Sequence, residues 1–303
     1  MALLWWFEGL RMPILDTAFS LITRFGEEMS LIAIFCLIYW CINKKTAYII
    51  GYSFFLSGLV VQWMKTLFRV PRPWVYDPTF EPVGGAVTAS TGYAFPSGHT
   101  QTAAALLGSI GIRVKQNWFK VILYALALLV GFSRIYLGVH YLEDVLVSLV
   151  ITFIIIIITN RVFSEGELSK KTVLILSAIM IIFSLVAIGY ATYLYQTQQT
   201  VAAQLRDSTR VAGAAIGFAI SMYIEQFYIK FSPKTKYLPT QVVKLVIGIA
   251  GMIAVQEGFR LIGTGLVMDS VRYFLVVMWA MIIYPLIIRR FFELKMSQTD
   301  LIG

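Results

Sequence analysis

Charged residues are scarce in this chain of 303 residues. Asp, Glu, Lys and Arg make up 14% of it, whereas a soluble domain carries about 25%. Hydrophobic residues reach 58%, and the mean hydropathy is +0.77. This balance excludes an ordinary soluble domain and indicates an integral membrane protein.

Cysteine and histidine are equally rare, with two of each. Cys36 and Cys41 share one apolar segment and lack metal-ligand partners in the sequence, so we expect neither a disulfide framework nor a metal site from them. The first apolar run is short and no small-residue cleavage site follows it, so we expect no removal of a signal peptide.

The apolar runs predict an all-α, polytopic transmembrane helical bundle. Residues 1–26 interrupt their apolar pattern with four charges and predict an amphipathic segment lying in the interface. Residues 27–195 then form a six-span bundle, and residues 196–303 form a three-span C-terminal extension. The nine expected spans are 29–42, 46–68, 97–112, 118–137, 139–163, 172–195, 211–228, 242–261 and 271–288.

Three polar clusters lie at the ends of these apolar runs. The first contains Lys65 and Arg72, the second Ser97, Gly98 and His99, and the third Arg134, His140 and Asp144. If spans two to five alternate in direction, all three clusters share one membrane face. They are therefore expected to form one site.

These residue types suit chemistry on a phosphate ester. Negative charge grows on the phosphoryl oxygens during transfer, and Lys65, Arg72 and Arg134 supply cations to meet it. The start of the third span offers backbone amides at Ser97 and Gly98. The same three cations would repel a metal ion, so no metal or other cofactor is expected.

The third cluster also contains a candidate nucleophile. Four residues separate His140 from Asp144, which on a helix places both on one side. The carboxylate would accept one ring N–H and leave the other nitrogen free to attack phosphorus. His99 would then act as the acid and base. The residues alone do not exclude the opposite assignment of the two histidines, but the aspartate favours His140.

Lys65-x6-Arg72-Pro73, Pro96-Ser97-Gly98-His99 and Ser133-Arg134-x5-His140-x3-Asp144 resemble, in order, the three signatures of the phosphatidic acid phosphatase type 2 superfamily. The resemblance implies hydrolysis of a lipid phosphate monoester or diphosphate through a phosphohistidine on His140. It also implies that Asp144 supports His140, that His99 is the acid, and that Lys65, Arg72, Ser97, Gly98 and Arg134 hold phosphate. The expected partners are a phosphorylated lipid and membrane lipids.

The positive charges predict the orientation. The net charge is +9, but the cations form no continuous basic stripe, so nucleic acid is not an expected partner. Setting aside Lys244 and the three motif cations, fourteen Lys and Arg residues fall on the face opposite the motifs and seven on the motif face. The positive-inside rule then predicts a multi-pass cell-membrane protein with an extracytoplasmic active site, its N-terminus outside and its C-terminus in the cytoplasm.

Three alternatives remain open from the sequence. The nine-span pattern also resembles glucose-6-phosphatase, a membrane phosphatase that acts on a soluble sugar phosphate. A lipid phosphotransferase would use the same histidine with a lipid acceptor in place of water. A transporter would bind anionic headgroups and need the cations but no nucleophile. The oligomeric state is not predicted.

Overall fold

A computed structural model describes residues 1–88, 90–164, 166–234, 237–263 and 265–293. It is 80% helical, with no strand among the described residues. The α-helices are α1 (Ala2–Glu8), α2 (Pro13–Ile22), α3 (Glu28–Leu37), α4 (Lys44–Phe68), α5 (Pro73–Tyr76), α6 (Gly98–Ala103), α7 (Ser109–Arg113), α8 (Asn117–Tyr136), α9 (Leu142–Ser164), α10 (Lys170–Gln196), α11 (Ala202–Ile224), α12 (Leu238–Ile262), α13 (Leu266–Met278) and α14 (Tyr284–Ile288).

Several of these helices are joined by a short helical turn of a different pitch. A 3₁₀ turn, Thr23–Gly26, links α2 to α3. One π turn, Ala104–Gly108, makes α6 and α7 continuous, and another, Trp279–Ile283, does the same for α13 and α14. Further π turns close α3, α11 and the final helix at Ile38–Ile42, Glu225–Ile229 and Arg289–Glu293.

The chain is a multi-pass membrane protein. Six helices of the described residues are long and apolar enough to cross a membrane, and a seventh span arises if the bent pair Pro13–Gly26 and Glu28–Ile42, which meet at 52°, counts as one. Gly98–Arg113 has only 16 residues, and α11 carries Arg206, Asp207 and Arg210 in its first half. The predicted count of nine spans therefore stays a prediction, as does the interfacial N-terminal segment.

Local sequence signals explain where the long helices begin and end. The Asn43 side chain accepts from the Thr46 amide at 2.9 Å and caps the start of α4. Arg69, in the left-handed region with φ 52°, closes α4 just before Pro71. Ser169 caps α10 through the Thr172 amide at 3.1 Å.

The C-terminal extension packs against the N-terminal half of the chain. Trp40 is fully buried, and its indole N–H donates to the Ala280 carbonyl at 2.8 Å. At the end opposite the motifs, the buried Glu225 carboxylate pairs with Lys44 at 2.7 Å and accepts from the Tyr48 hydroxyl. These buried polar contacts, as well as apolar ones, therefore hold the extension to α4 and to the π turn that closes α3.

Both cysteines are free thiols.

Candidate active site

The three polar clusters come together at one end of the bundle. Lys65 lies in the last turn of α4, His99 in the first turn of α6, and His140 in the turn between α8 and α9. A cavity of about 340 Å³ is lined by Lys65, Arg72, Gly98, His99 and His140, among other residues. The expectation that these clusters are neighbours is met by the geometry.

His140 is buried between two charged partners. Its Nδ1 lies 2.9 Å from Asp144 Oδ2, and its Nε2 lies 2.7 Å from Arg72 Nη1. An arginine can only donate, and a carboxylate accepts. The arrangement therefore assigns the ring proton to Nδ1 and a lone pair to Nε2.

The sequence expectation that His140 lies on a helix with Asp144 is wrong, because α9 begins at Leu142. Gly138 turns the chain here with φ 76°, and a Cβ on it would lie 2.8 Å from the Phe80 ring. Asp144, in the first turn of α9, reaches back to His140 Nδ1 and to the Tyr141 amide, each at 2.9 Å. The predicted contact between His140 and Asp144 exists. The Asp144 carboxylate makes it from the first turn of α9 to residues that precede the helix, as a capping side chain does.

The environment of His140 lowers its pKa well below the usual value. Burial is the main cause, because it penalises the charged imidazolium. The positive charges of Arg72, Lys65 and Arg134 act in the same direction, in that order. His140 is consequently neutral near pH 7, as a nitrogen nucleophile must be.

Ser97, Gly98 and His99 open α6 beside His140. The Ser97 amide donates to the Asp144 carbonyl at 3.0 Å, which ties α6 to α9. A Cβ on Gly98 would meet open space, so a bound group can approach its backbone. His99 Nε2 is buried and has no hydrogen-bond partner among the described residues.

The three motif cations are buried without a carboxylate. Lys65 donates to the Tyr93 carbonyl. Arg72 donates to the carbonyls of Gly92 at 3.2 Å, Thr91 at 2.6 Å and Val139 at 3.0 Å. Within the described part of the chain, no carboxylate oxygen lies within 4.0 Å of Lys65, Arg72 or Arg134. Buried charges without a counter-charge are costly, so this end of the bundle is suited to an anion.

Arg134 holds a different position from the other two cations. It is fully buried, with Nη1 2.9 Å from the Thr23 hydroxyl and Nη2 2.6 Å from the Ser90 hydroxyl. Among the described residues that line the cavity, Arg134 does not appear. It ties the N-terminal segment to the loop between α5 and α6, so its predicted phosphate contact stays a prediction.

Sequence reasoning missed the contribution of α11. Asp207 lines the cavity, and its Oδ2 accepts from the Thr91 hydroxyl at 2.7 Å. The carbonyl of the same Thr91 accepts from Arg72. The nearby Asp269, in contrast, pairs with Arg210 at 2.7 Å and Arg272 at 2.8 Å. No sequence pattern signals that Asp207 instead contacts the loop.

Family models match two parts of the chain. A model described as PAP2 superfamily matches residues 46–168, the region that carries all three polar clusters. A second, described as PAP2 superfamily phosphatase, transmembrane extension, matches residues 209–297.

Three curated bacterial proteins are similar in sequence. Undecaprenyl-diphosphatase BcrC of Bacillus subtilis is 38% identical over 33% of this chain and 49% of its own length. Lipid A 4'-phosphatase of Porphyromonas gingivalis is 28% identical over 49% and 66%, and phosphatidylglycerophosphatase B of B. subtilis is 28% identical over 45% and 70%. The matches therefore span between 49% and 70% of the length of these relatives.

One solved structure is also similar. The crystal structure of LpxE from Aquifex aeolicus is 26% identical, with a TM-score of 0.48, and the match covers 53% of this chain and 93% of that one.

Proposed function

This chain belongs to the PAP2 superfamily, and on that premise we propose that it is an integral membrane phosphatase. It hydrolyses a lipid phosphate monoester or diphosphate through a phosphohistidine intermediate, without a metal ion. The three curated relatives are named for a polyprenyl diphosphate, a lipid A phosphate and phosphatidylglycerol phosphate. Their names support a phosphorylated lipid as the substrate class.

The observation that carries the proposal is the set of three buried cations around His140 that no carboxylate contacts among the described residues. Lys65, Arg72 and Arg134 are at most 6% exposed, and none has a carboxylate partner among the described residues. A phosphoryl group in the cavity would give Lys65 and Arg72 a direct ionic contact in place of carbonyl contacts, and charge-assisted hydrogen bonds are stronger than neutral ones. Ser97 and Gly98 would add backbone amides, and Arg134 would act at longer range.

The chemical step begins at His140 Nε2. Its lone pair attacks phosphorus, the P–O bond to the leaving group breaks, and His99 gives its proton to the leaving oxygen. Asp144, on Nδ1, stabilises the positive charge that the ring acquires. Water then attacks phosphorus, His99 takes its proton, and the P–N electron pair returns to Nε2 as phosphate leaves. No metal is needed, because fixed cations balance the phosphoryl charge throughout.

The proposed organisation follows the sequence: an interfacial segment at 1–26, a catalytic bundle at 27–195 and an extension at 196–303. The cation count supports a site at the extracytoplasmic face, with the N-terminus outside and the C-terminus in the cytoplasm. A membrane-impermeant maleimide on intact cells tests this in a cysteine-free background. Val87→Cys, in the exposed loop near the site, should react. Gln116→Cys, at the opposite end, should react only after lysis, and the reverse pattern would invert the orientation.

Phosphate release by the purified protein tests the activity. The substrates are undecaprenyl diphosphate, phosphatidate, phosphatidylglycerol phosphate and glucose 6-phosphate, each with EDTA present. We expect release from at least one lipid by the wild type and none by His140→Ala. Release that needs added metal would reject the metal-free mechanism. Release from glucose 6-phosphate alone would reject the lipid assignment, and no release from any substrate would reject hydrolysis.

A further inference from the structure

A second cavity lies beside the cationic one and differs from it in character. Its volume is about 100 Å³, and apolar side chains make up most of its lining. The catalytic half of the chain contributes α3 and α4 to this lining, for example Ile32 and Phe54. The C-terminal extension contributes α11, α12 and the α13 region, for example Ala214, Met252 and Val277.

The two cavities share one wall. Glu28, Met29, Phe54, Arg210 and Val211 line both of them. On one side of this wall lie Lys65, Arg72 and His140. On the other side the lining becomes Phe35, Ile50, Phe218 and Val276. A molecule with a charged end and an apolar end matches this change in lining.

Polar contacts fix the groups at the junction. The Tyr273 hydroxyl lies 3.2 Å from Glu28 Oε2, which joins α13 to the start of α3. Arg210 pairs with Asp269 through Nη2 at 2.7 Å and Nε at 3.2 Å. Beyond these groups most of the lining is hydrophobic, so the apolar cavity contains little that would attract water.

We propose that the apolar cavity holds the hydrocarbon chain of the lipid phosphate whose phosphoryl group is cleaved at His140. The C-terminal extension therefore forms part of the substrate site and selects for a lipid chain. This inference deepens the proposed function and rests on it. The occupant is the substrate chain itself, because the five residues that line both cavities set the apolar cavity directly beside the one that would hold the phosphate.

Two substrate pairs with and without a long chain test the proposal. Dioleoyl phosphatidate is compared with glycerol 3-phosphate, and undecaprenyl diphosphate with isopentenyl diphosphate. Val277→Trp fills the apolar cavity. We expect it to lower kcat/KM at least about tenfold for the long-chain member that the wild type hydrolyses. We expect a change of less than about twofold for the matching short member, because the phosphate cavity is untouched.

Val267→Trp is the matched control. Val267 lies on the same helix, α13, and is 78% exposed, so the same substitution there should leave both kinds of substrate unaffected. If Val277→Trp lowers the two members of a pair equally, or lowers neither, the cavity does not hold the substrate chain and the proposal is overturned. If the wild type hydrolyses neither these four compounds nor phosphatidylglycerol phosphate, the proposed function itself fails.

Photolabelling gives a second, direct readout. A phosphatidate with a diazirine at the end of its acyl chain should label peptides of α3, α12 or α13 in the wild type, and that labelling should fall several-fold in Val277→Trp. Two results would assign the cavity to a bulk membrane lipid and overturn the proposal. In one, the labelling of these peptides is unchanged in the variant. In the other, neither undecaprenyl diphosphate nor dioleoyl phosphatidate displaces it.

Discussion

Arg72 Nη1 lies 2.7 Å from Nε2 of His140, the nitrogen that the proposed mechanism uses as nucleophile. Asp144 holds the opposite nitrogen of the ring at 2.9 Å. Arg72 thus occupies the lone pair until a phosphoryl group arrives. A phosphate oxygen that accepts the Arg72 N–H would release Nε2 and bring phosphorus next to it in the same movement. The guanidinium can therefore couple substrate binding to the availability of the nucleophile.

Replacing Arg72 by lysine tests whether geometry matters as well as charge. Arg72→Lys keeps the positive charge but cannot reach three carbonyls and the imidazole with one ammonium group. We expect kcat to fall about 10²-fold, as for the loss of one fixed donor to a developing anion. Arg69→Lys is the control, since Arg69 is exposed and its side chain hydrogen-bonds only to Gln199 among the described residues. Equal rates for wild type and Arg72→Lys would leave Arg72 with a purely electrostatic role.

The Asp144 contact determines which ring nitrogen of His140 carries the proton. Asp144→Asn preserves size but removes the negative charge that stabilises the ring during phosphoryl transfer. An amide can also present its NH₂ to Nδ1 and favour the wrong tautomer. We expect kcat to fall by about 10² to 10⁴, and Glu143→Gln, at the neighbouring position, should change it little. A loss of less than about threefold in Asp144→Asn would show that the mechanism does not need the carboxylate.

The lowered pKa of His140 is directly measurable, because the chain has only two histidines. Burial and the neighbouring cations keep the folded-state pKa below the unfolded value of about 6.5. As pH falls through that value the unfolded chain binds a proton that the folded chain does not. The contribution of a neutral, buried His140 to the free energy of unfolding is therefore fully present above pH 6.5 and is lost as the pH falls toward the folded-state pKa.

Nuclear magnetic resonance of protein labelled at histidine Cε1 gives the titration of each ring, with His99→Gln to assign the signals. We expect the His140 signal to stay at its neutral position from about pH 8 to pH 6. In Lys65→Met the midpoint should move upward, because a neighbouring positive charge has been removed. A His140 midpoint near the ordinary value in the wild type would mean that the site is more hydrated than the structure indicates.

The hydrogen bond between Thr91 and Asp207 connects the C-terminal extension to the loop between α5 and α6. Thr91→Val removes it and loosens the carbonyl that accepts from Arg72. The lost bond is worth about 1 kcal/mol, and we expect kcat/KM to fall roughly five- to tenfold. Thr88→Val is the matched control in the same loop, where among the described residues the hydroxyl bonds only to the Gly85 carbonyl. Identical kinetics for the two variants would show that α11 does not position Arg72.

The sequence predicted the parts of the site that depend on chain direction. Alternating apolar runs bring Lys65, His99 and His140 to the same end of the bundle wherever their helices begin. These residues therefore still meet although α9 begins at Leu142 and not at the predicted residue 139. The spacing of His140 and Asp144 likewise predicted a contact that either a helix or a helix cap can make.

The contacts across the bundle were beyond the reach of sequence patterns. Asp207 and Thr91 are 116 positions apart, and nothing in either segment marks its partner. The same applies to Arg134, which a motif places among phosphate ligands but which contacts Thr23 and Ser90 in the fold. Hydropathy alone also does not determine the number of spans, because α11 is long enough to cross a membrane but carries three charges in its first half.

Trapping the covalent intermediate tests the central claim most directly. The protein is mixed with a substrate whose terminal phosphate is radiolabelled, quenched in alkaline detergent within the first turnover, and digested for mass spectrometry. We predict alkali-stable, acid-labile phosphate on His140 in the wild type, increased accumulation in His99→Gln with a diphosphate substrate, and none in His140→Ala. Label on His99 with His140 unmodified would reverse the two roles. Phosphate release without any labelled histidine would contradict the covalent mechanism.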